Sequence, residues 1–86
     1  MSDPAFKKDD LVSPAYEFKA YEYYVTGDKG WVLKDASDNN VFEIHKDDVG
    51  IVVDSTRCGE MKQHYVLLIR LCKVFLFAEF NIKRVT

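Results

Sequence analysis

Two histidines, His45 and His64, and two cysteines, Cys58 and Cys72, are the residues of this 86-residue chain best suited to acid–base, metal or thiol chemistry. Neither histidine has a second ligand at a zinc-site spacing, and the cysteines show no CxxC pattern. His45-Lys46-Asp47-Asp48 carries the acids of a calcium loop without its alternating oxygen ligands and closing glutamate, so it reads as an exposed turn. Nucleophilic catalysis would need Cys58 or a serine beside a histidine that a third group holds, and no spacing signals such an assembly. The chain is therefore expected to be no enzyme and to take no metal or cofactor. Two cysteines are too few for a disulfide scaffold. They are expected as free thiols, Cys72 in the core or a turn and Cys58 in a loop, unless they face each other across a hairpin.

Recognition chemistry is better supplied. Tyr16, Tyr21, Tyr23 and Tyr24 precede Trp31, the only tryptophan, and rigid aromatics with polar tips are typical anchors of a binding face. The alternative keeps Tyr21 and Tyr23 in the core with their hydroxyls at its rim. Charge is uneven: residues 1 to 56 hold six basic and twelve acidic side chains, whereas residues 57 to 86 hold six basic and two acidic ones. Arg57, Lys62, Arg70 and Lys73 are the candidate nucleic-acid contacts. Against them stand a net charge of −2 and their dispersal along the chain.

The elements that must position these groups read as β-strands. Residues 41 to 53, VFEIHKDDVGIVV, form two apolar β-branched runs around an acidic turn. A similar turn, Lys7-Lys8-Asp9-Asp10, precedes Leu11-Val12, a short or edge strand that Pro14 ends. Apolar residues alternate through Tyr16, Phe18 and Ala20, then change phase to Tyr21, Tyr23 and Val25, which predicts a bulge, a bend or a long irregular loop near Ala20. Thr26-Gly27-Asp28-Lys29-Gly30 is a turn before a strand at Trp31, and residues 35 to 40 form a second polar turn. Residues 54 to 63 are expected as a polar loop. Residues 64 to 71 and 74 to 78 form two further strands, the second preferred over a helix for its aromatic and β-branched content, and a last strand spans 82 to 85. Ile51, Val53, Leu67, Ile69 and Leu76 are expected to share one core. The other face of the 64 to 71 strand, with Val66 and Leu68, is partly apolar too, as in a strand covered on both sides.

The segments Phe6-Lys7-Lys8-Asp9-Asp10-Leu11-Val12, Val49-Gly50-Ile51-Val52-Val53, Tyr65-Val66-Leu67-Leu68 and Phe80-Asn81-Ile82-Lys83-Arg84-Val85 resemble the small SH3-like barrels of tailed bacteriophages, with their Kyrpides-Ouzounis-Woese-like and Tudor-like relatives. Those run as a GDLV opening, a G-x-V strand, a Y-x-V-x-W strand and an x-x-L-x-x-V ending. The resemblance implies an all-β antiparallel SH3-like barrel of five or six strands, a single domain over residues 6 to 86 behind a frayed segment 1 to 5. It further implies a binding or adaptor module.

Composition narrows the setting. One core suits a chain of this length. The supply of large apolar residues argues against disorder, and no run reaches the ~20 apolar residues of a membrane span. The first residues lack the basic and apolar regions of a signal peptide, so a cytoplasmic location is expected, in the host cell if the protein is viral. The leading function is a non-enzymatic protein-binding module, such as a phage accessory factor that modulates a host protein, its acidic half steering it onto a basic partner. A nucleic-acid-binding barrel is the second reading, and a structural or virion protein that oligomerises through strand edges is the third.

Overall fold

The structure, a computed structural model, describes residues 6 to 35 and 37 to 85, so the frayed segment expected over residues 1 to 5 lies outside the described residues. Its strands are β1 (Leu11–Pro14), β2 (Phe18–Thr26), β3 (Gly30–Leu33), β4 (Val41–Ile44), β5 (Gly50–Cys58), β6 (Met61–Leu68), β7 (Lys73–Ala78) and β8 (Ile82–Arg84). Single 3-10 turns at Asp38–Asn40 and Glu79–Asn81 precede β4 and β8. All ladders are antiparallel and the sheet is open, in the order β3-β2-β7-β6-β5-β1-β8, with β4 also on β2. The all-β antiparallel class agrees with the sequence. The count of eight strands exceeds the five or six expected.

Two causes account for the larger count. Residues 54 to 63 are a hairpin, not a loop: β5 and β6 stay paired out to Cys58 opposite Met61, and Gly59 takes φ +65° at the first turn position. Its polar side chains carry no alternating apolar signal. In addition, β3 and β4 follow one another along β2, with Leu33 opposite Tyr23 and Val41 opposite Tyr21. The ladder along β2 is therefore interrupted between Leu33 and Val41, opposite Glu22 alone. The buried Asn40 side chain spans this interruption, donating to the carbonyls of Glu22 at 3.3 Å and Asp35 at 2.6 Å.

The acidic turns are built alike. The Asp48 carboxylate accepts the His45 N–H at 2.9 Å, while Asp48 N–H returns to the His45 carbonyl. Asp10 does the same with Lys7, at 2.9 Å to its N–H. An arginine from far along the chain closes each turn: Arg70 donates Nε and Nη2 to Asp48 at 2.6 and 2.9 Å, and Arg84 donates Nη1 to Asp10 at 3.0 Å. Arg70 Nη2 also reaches the Glu43 carbonyl, and the Asp48 carbonyl accepts the Ser13 hydroxyl. One buried aspartate thus joins β1, the β4–β5 connection and the β6–β7 turn. The Arg70 guanidinium, aided by the His45 N–H, holds its carboxyl below the ordinary range despite burial.

The core consists of Val12, Ile44, Val52, Val66, Leu68, Phe75, Phe77 and Ile82. Phe18 and Phe42, from β2 and β4, meet Phe77 and Phe75 edge to face at 5.4 and 5.7 Å, so the β2–β4 ladder covers this side of the main sheet. The expected core is corrected here. Ile51, Val53, Leu67 and Leu76 are only half-buried, and Ile69 is 53% exposed, because the opposite phase of β5, β6 and β7 points inward. Both faces are apolar, but the inward phase carries two phenylalanines and Gly50, the only residue that fits its position. A Cβ on Gly50 would lie 2.5 Å from Val66 Cγ1 and 2.9 Å from the Leu67 carbonyl oxygen.

The phase change near Ala20 has a related origin. Strand β2 is unbroken but serves two layers. Its first half turns Phe18 and Ala20 into the core; its second half turns Tyr23 onto the other face of the sheet.

Three outcomes are expected in urea denaturation. Leu68→Ala should cost about 3 kcal/mol and Leu67→Ala clearly less. Gly50→Ala should cost about 1 to 3 kcal/mol through overpacking. Asp48→Asn should cost about 2 to 3 kcal/mol at neutral pH. Because the folded pKa of Asp48 is depressed, its contribution is complete above the unfolded value near 4 and is lost as pH falls through the folded value. The gap between parent and Asp48→Asn should therefore begin to narrow below about pH 4 and close only as pH passes below the depressed folded value.

Candidate functional site

With the inner face filled by the core, the outer face of the main sheet carries a second set of apolar side chains. Leu11, Ile51, Leu67, Val74, Tyr23 and Leu33 are successive cross-strand partners over six strands, so they share this face in one row. The ends of the row are open, Leu11 being 46% and Leu33 37% exposed. Val25, in the same phase as Tyr23, is 60% exposed.

Trp31 covers part of this face. Strand β3 is separated from β6 by β2 and β7 in the sheet, yet the indole stacks on Tyr65 with ring centroids 4.9 Å apart. Its N–H donates to Asp54 on β5 at 3.0 Å. Both contacts require the β2–β3 hairpin to curl over the outer face. Tyr23 meets Tyr65 edge to face at 5.7 Å, completing a cluster of three aromatics beside one carboxylate. Burial, then the neighbouring Tyr23 and Asp54, push the Tyr65 phenol upward.

The five aromatics named from the sequence are thus divided. Tyr23 and Trp31 belong to the outer-face cluster, and Tyr24, opposite Val32, projects exposed from the other side of the hairpin. Tyr21 is exposed beside Val41 of β4. Tyr16 lies against Phe18, where its hydroxyl accepts a hydrogen bond from Asn81. Tyr65 was not among the candidates, although its place opposite Asp54 follows from the hairpin register.

The four cations are divided too. Arg70 is engaged with Asp48, and Lys73 lies 3.6 Å from Glu22 and over the Phe42 ring. Arg57 and Lys62 face each other at the far end of the β5–β6 hairpin, and among the described residues neither is in an ion pair. Lys62 stands six residues along β6 from Leu68, the partner of Lys73, which is about 20 Å of strand.

A polar cluster not visible in the sequence lies beside that cationic pair. Ser55 is directly opposite His64, its hydroxyl 2.8 Å from Nδ1, while the Glu79 carboxylate is 3.1 Å from Nε2. The His64 side chain is 1% exposed, and the Phe6 ring stands edge-on to it at 5.5 Å. Phe6, Ser55, Arg57, Lys62 and His64 line an open cleft of about 280 Å³. The hairpin turn at Gly59 was the available signal, since pairing Cys58 with Met61 places residue 55 against residue 64.

Cys58 ends β5 and Cys72 sits in the β6–β7 turn, both exposed and unbridged. Among the described residues no three His, Cys, Asp or Glu side chains are grouped as a metal site, and no helix is long and apolar enough to cross a membrane. Comparison with protein-family models, curated proteins and solved structures finds no match.

Trp31→Ala removes a stacked pair and a charge-assisted hydrogen bond. It should lower stability by about 1 to 2 kcal/mol and move the Tyr65 titration down toward its ordinary value. Urea denaturation and ultraviolet titration of the tyrosines check both effects.

Proposed function

We propose that this chain is a small protein-binding module of the SH3-like barrel type, and that it docks through the outer face of its main sheet. The apolar row from Leu11 to Leu33 carries the reading. A sheet that already buries one apolar face has no folding need for a second, and an apolar row left half-buried along its middle and exposed at both ends marks an interface. Tyr23 and Trp31 form the centre of the docking face, with Tyr24 at its rim. Tyr16 and Tyr21, at the other end of β2, stand outside it.

The occupant is a segment of a partner protein bearing apolar side chains flanked by lysine or arginine. Leu11, Tyr23, Val25, Trp31, Leu33, Ile51 and Asp54 come from residues 1 to 56, whose charge balance is −6, and only Leu67 and Val74 of the row come from the remainder. That charge steers a basic partner and repels a second copy. The separation of Arg57 and Lys62 from Arg70 and Lys73 favours protein over nucleic acid. The barrel reading rests on the sequence resemblance and on β2, which bends between two layers as strands do at the corners of small barrels. The same resemblance supplies a biological setting: a bacteriophage accessory factor whose partner is a host protein that it modulates.

Capture from a basic-protein-rich lysate, with and without nuclease, followed by calorimetry on the partner recovered, tests the face. Leu33→Asp and Val25→Glu should each weaken binding at least tenfold, about 1.4 kcal/mol, with unchanged dichroism. Phe80→Asp, at a 65% exposed site off the row, should bind like the parent. Capture that nuclease abolishes, or a self-dimer in sedimentation that Leu33→Asp dissolves, would replace this reading.

A further inference from the structure

The outer face leaves the Ser55, His64 and Glu79 cluster on the sheet's other side without a role. Three features distinguish it from a histidine that is merely satisfied. The Glu79 carboxylate at Nε2 selects the tautomer with the proton on that nitrogen, which leaves the Nδ1 lone pair for the Ser55 hydroxyl. Ser55 is exposed while His64 is buried, so the base is shielded and the hydroxyl is reachable from the cleft. Arg57 and Lys62 are like charges placed directly opposite each other, an arrangement that costs stability unless an anion lies between them.

We propose that Ser55 is a nucleophile for acyl transfer and that the cleft hydrolyses small carboxylic esters carrying a second, anionic carboxylate. Ser55 Oγ attacks the ester carbonyl carbon as its proton passes to His64 Nδ1. The carbonyl π electrons go to oxygen, giving the tetrahedral oxyanion. Collapse re-forms the carbonyl, breaks the bond to the alcohol oxygen, and returns the Nδ1 proton to that leaving group. Water then attacks the acyl-serine, giving its proton to Nδ1; Ser55 leaves with that proton and the free acid is released. One ester and one water yield one acid and one alcohol. Glu79 acts as a positioning residue through Nε2, and Arg57 and Lys62 take the substrate's spare carboxylate. Phe6 forms the apolar wall.

The charged and titratable groups around His64 are Glu79 at Nε2, Arg57 and Lys62 one position further along the same face of the hairpin, and Arg84 beyond Phe6, 5.1 Å over its ring.

The test is hydrolysis of p-nitrophenyl hemisuccinate and p-nitrophenyl acetate by the full chain, with a fluorophosphonate probe located by peptide mass mapping. The probe should add to Ser55 and not to Ser13 or Ser37. Ser55→Ala, an exposed substitution, should lower kcat/KM on the order of 100-fold with unchanged dichroism. Glu79→Gln should slow turnover, with partial recovery in Glu79→Asp. Arg57→Ala with Lys62→Ala should bring the hemisuccinate to acetate ratio of kcat/KM down to about one. Absence of a Ser55 adduct, turnover in Ser55→Ala equal to the parent, or a ratio unmoved by loss of both cations would overturn the proposal.

Discussion

The Asp48 carboxylate, buried and held by the Arg70 fork, is the contact on which most of the architecture depends. It sits where the chain leaves the β2–β4 ladder and enters the main sheet, and it answers to the β6–β7 turn through Arg70, while the main-chain carbonyl of the same residue accepts the Ser13 hydroxyl from β1. Two residues later Gly50 must lie against Val66 and Leu68. Together they set the phase in which β5 joins the sheet, and with it the side chains of β6 and β7 that turn inward. A slip of one residue would put Ile51, Leu67 and Leu76 inside and Val52, Val66 and Phe75 outside.

The consequence is a sheet apolar on both faces with a full layer on only one. The β2–β4 ladder seals the inner side with Phe18 and Phe42, while the outer side gets only the curled β2–β3 hairpin and its Trp31 lid. Core and open face are coupled through β2, because the strand that completes the core also carries Tyr23 and Val25 to the open face. The hairpin from Asp54 to Gln63 extends the sheet beyond that core. There the inward phase turns polar, and it becomes the Ser55–His64–Glu79 relay and the Arg57–Lys62 pair.

Much of the strand pattern was legible in the sequence. The turn at Thr26 to Gly30, the acidic turns before β1 and β5, and the strand character of 64 to 71 and 74 to 78 follow from glycine, aspartate and β-branched placement. The phase of the core was not, because period-two counting cannot choose between Ile51, Leu67, Leu76 and Val52, Val66, Phe75 when both sets are apolar. Nor was the 54 to 63 hairpin, whose strands rest on backbone pairing with a neighbour and not on burial of their own side chains. The richness of residues 16 to 31 in aromatics was legible, but not their arrangement. Which of Tyr16, Tyr21, Tyr23, Tyr24 and Trp31 come together depends on how β2 bends between layers, and Tyr65, which ties Trp31 down, lies more than thirty residues away in sequence.

The central claim is that one apolar face is closed and the other open. Attenuation of methyl resonances by a soluble gadolinium chelate measures this directly, residue by residue. The methyls of Leu11, Val25 and Leu33 should broaden strongly, while those of Val12, Ile44, Val52, Val66 and Leu68 stay sharp. Equal attenuation of the two sets, or broadening of Val52, Val66 and Leu68 with Leu11, Val25 and Leu33 protected, would contradict both the phase of the sheet and the docking face built on it.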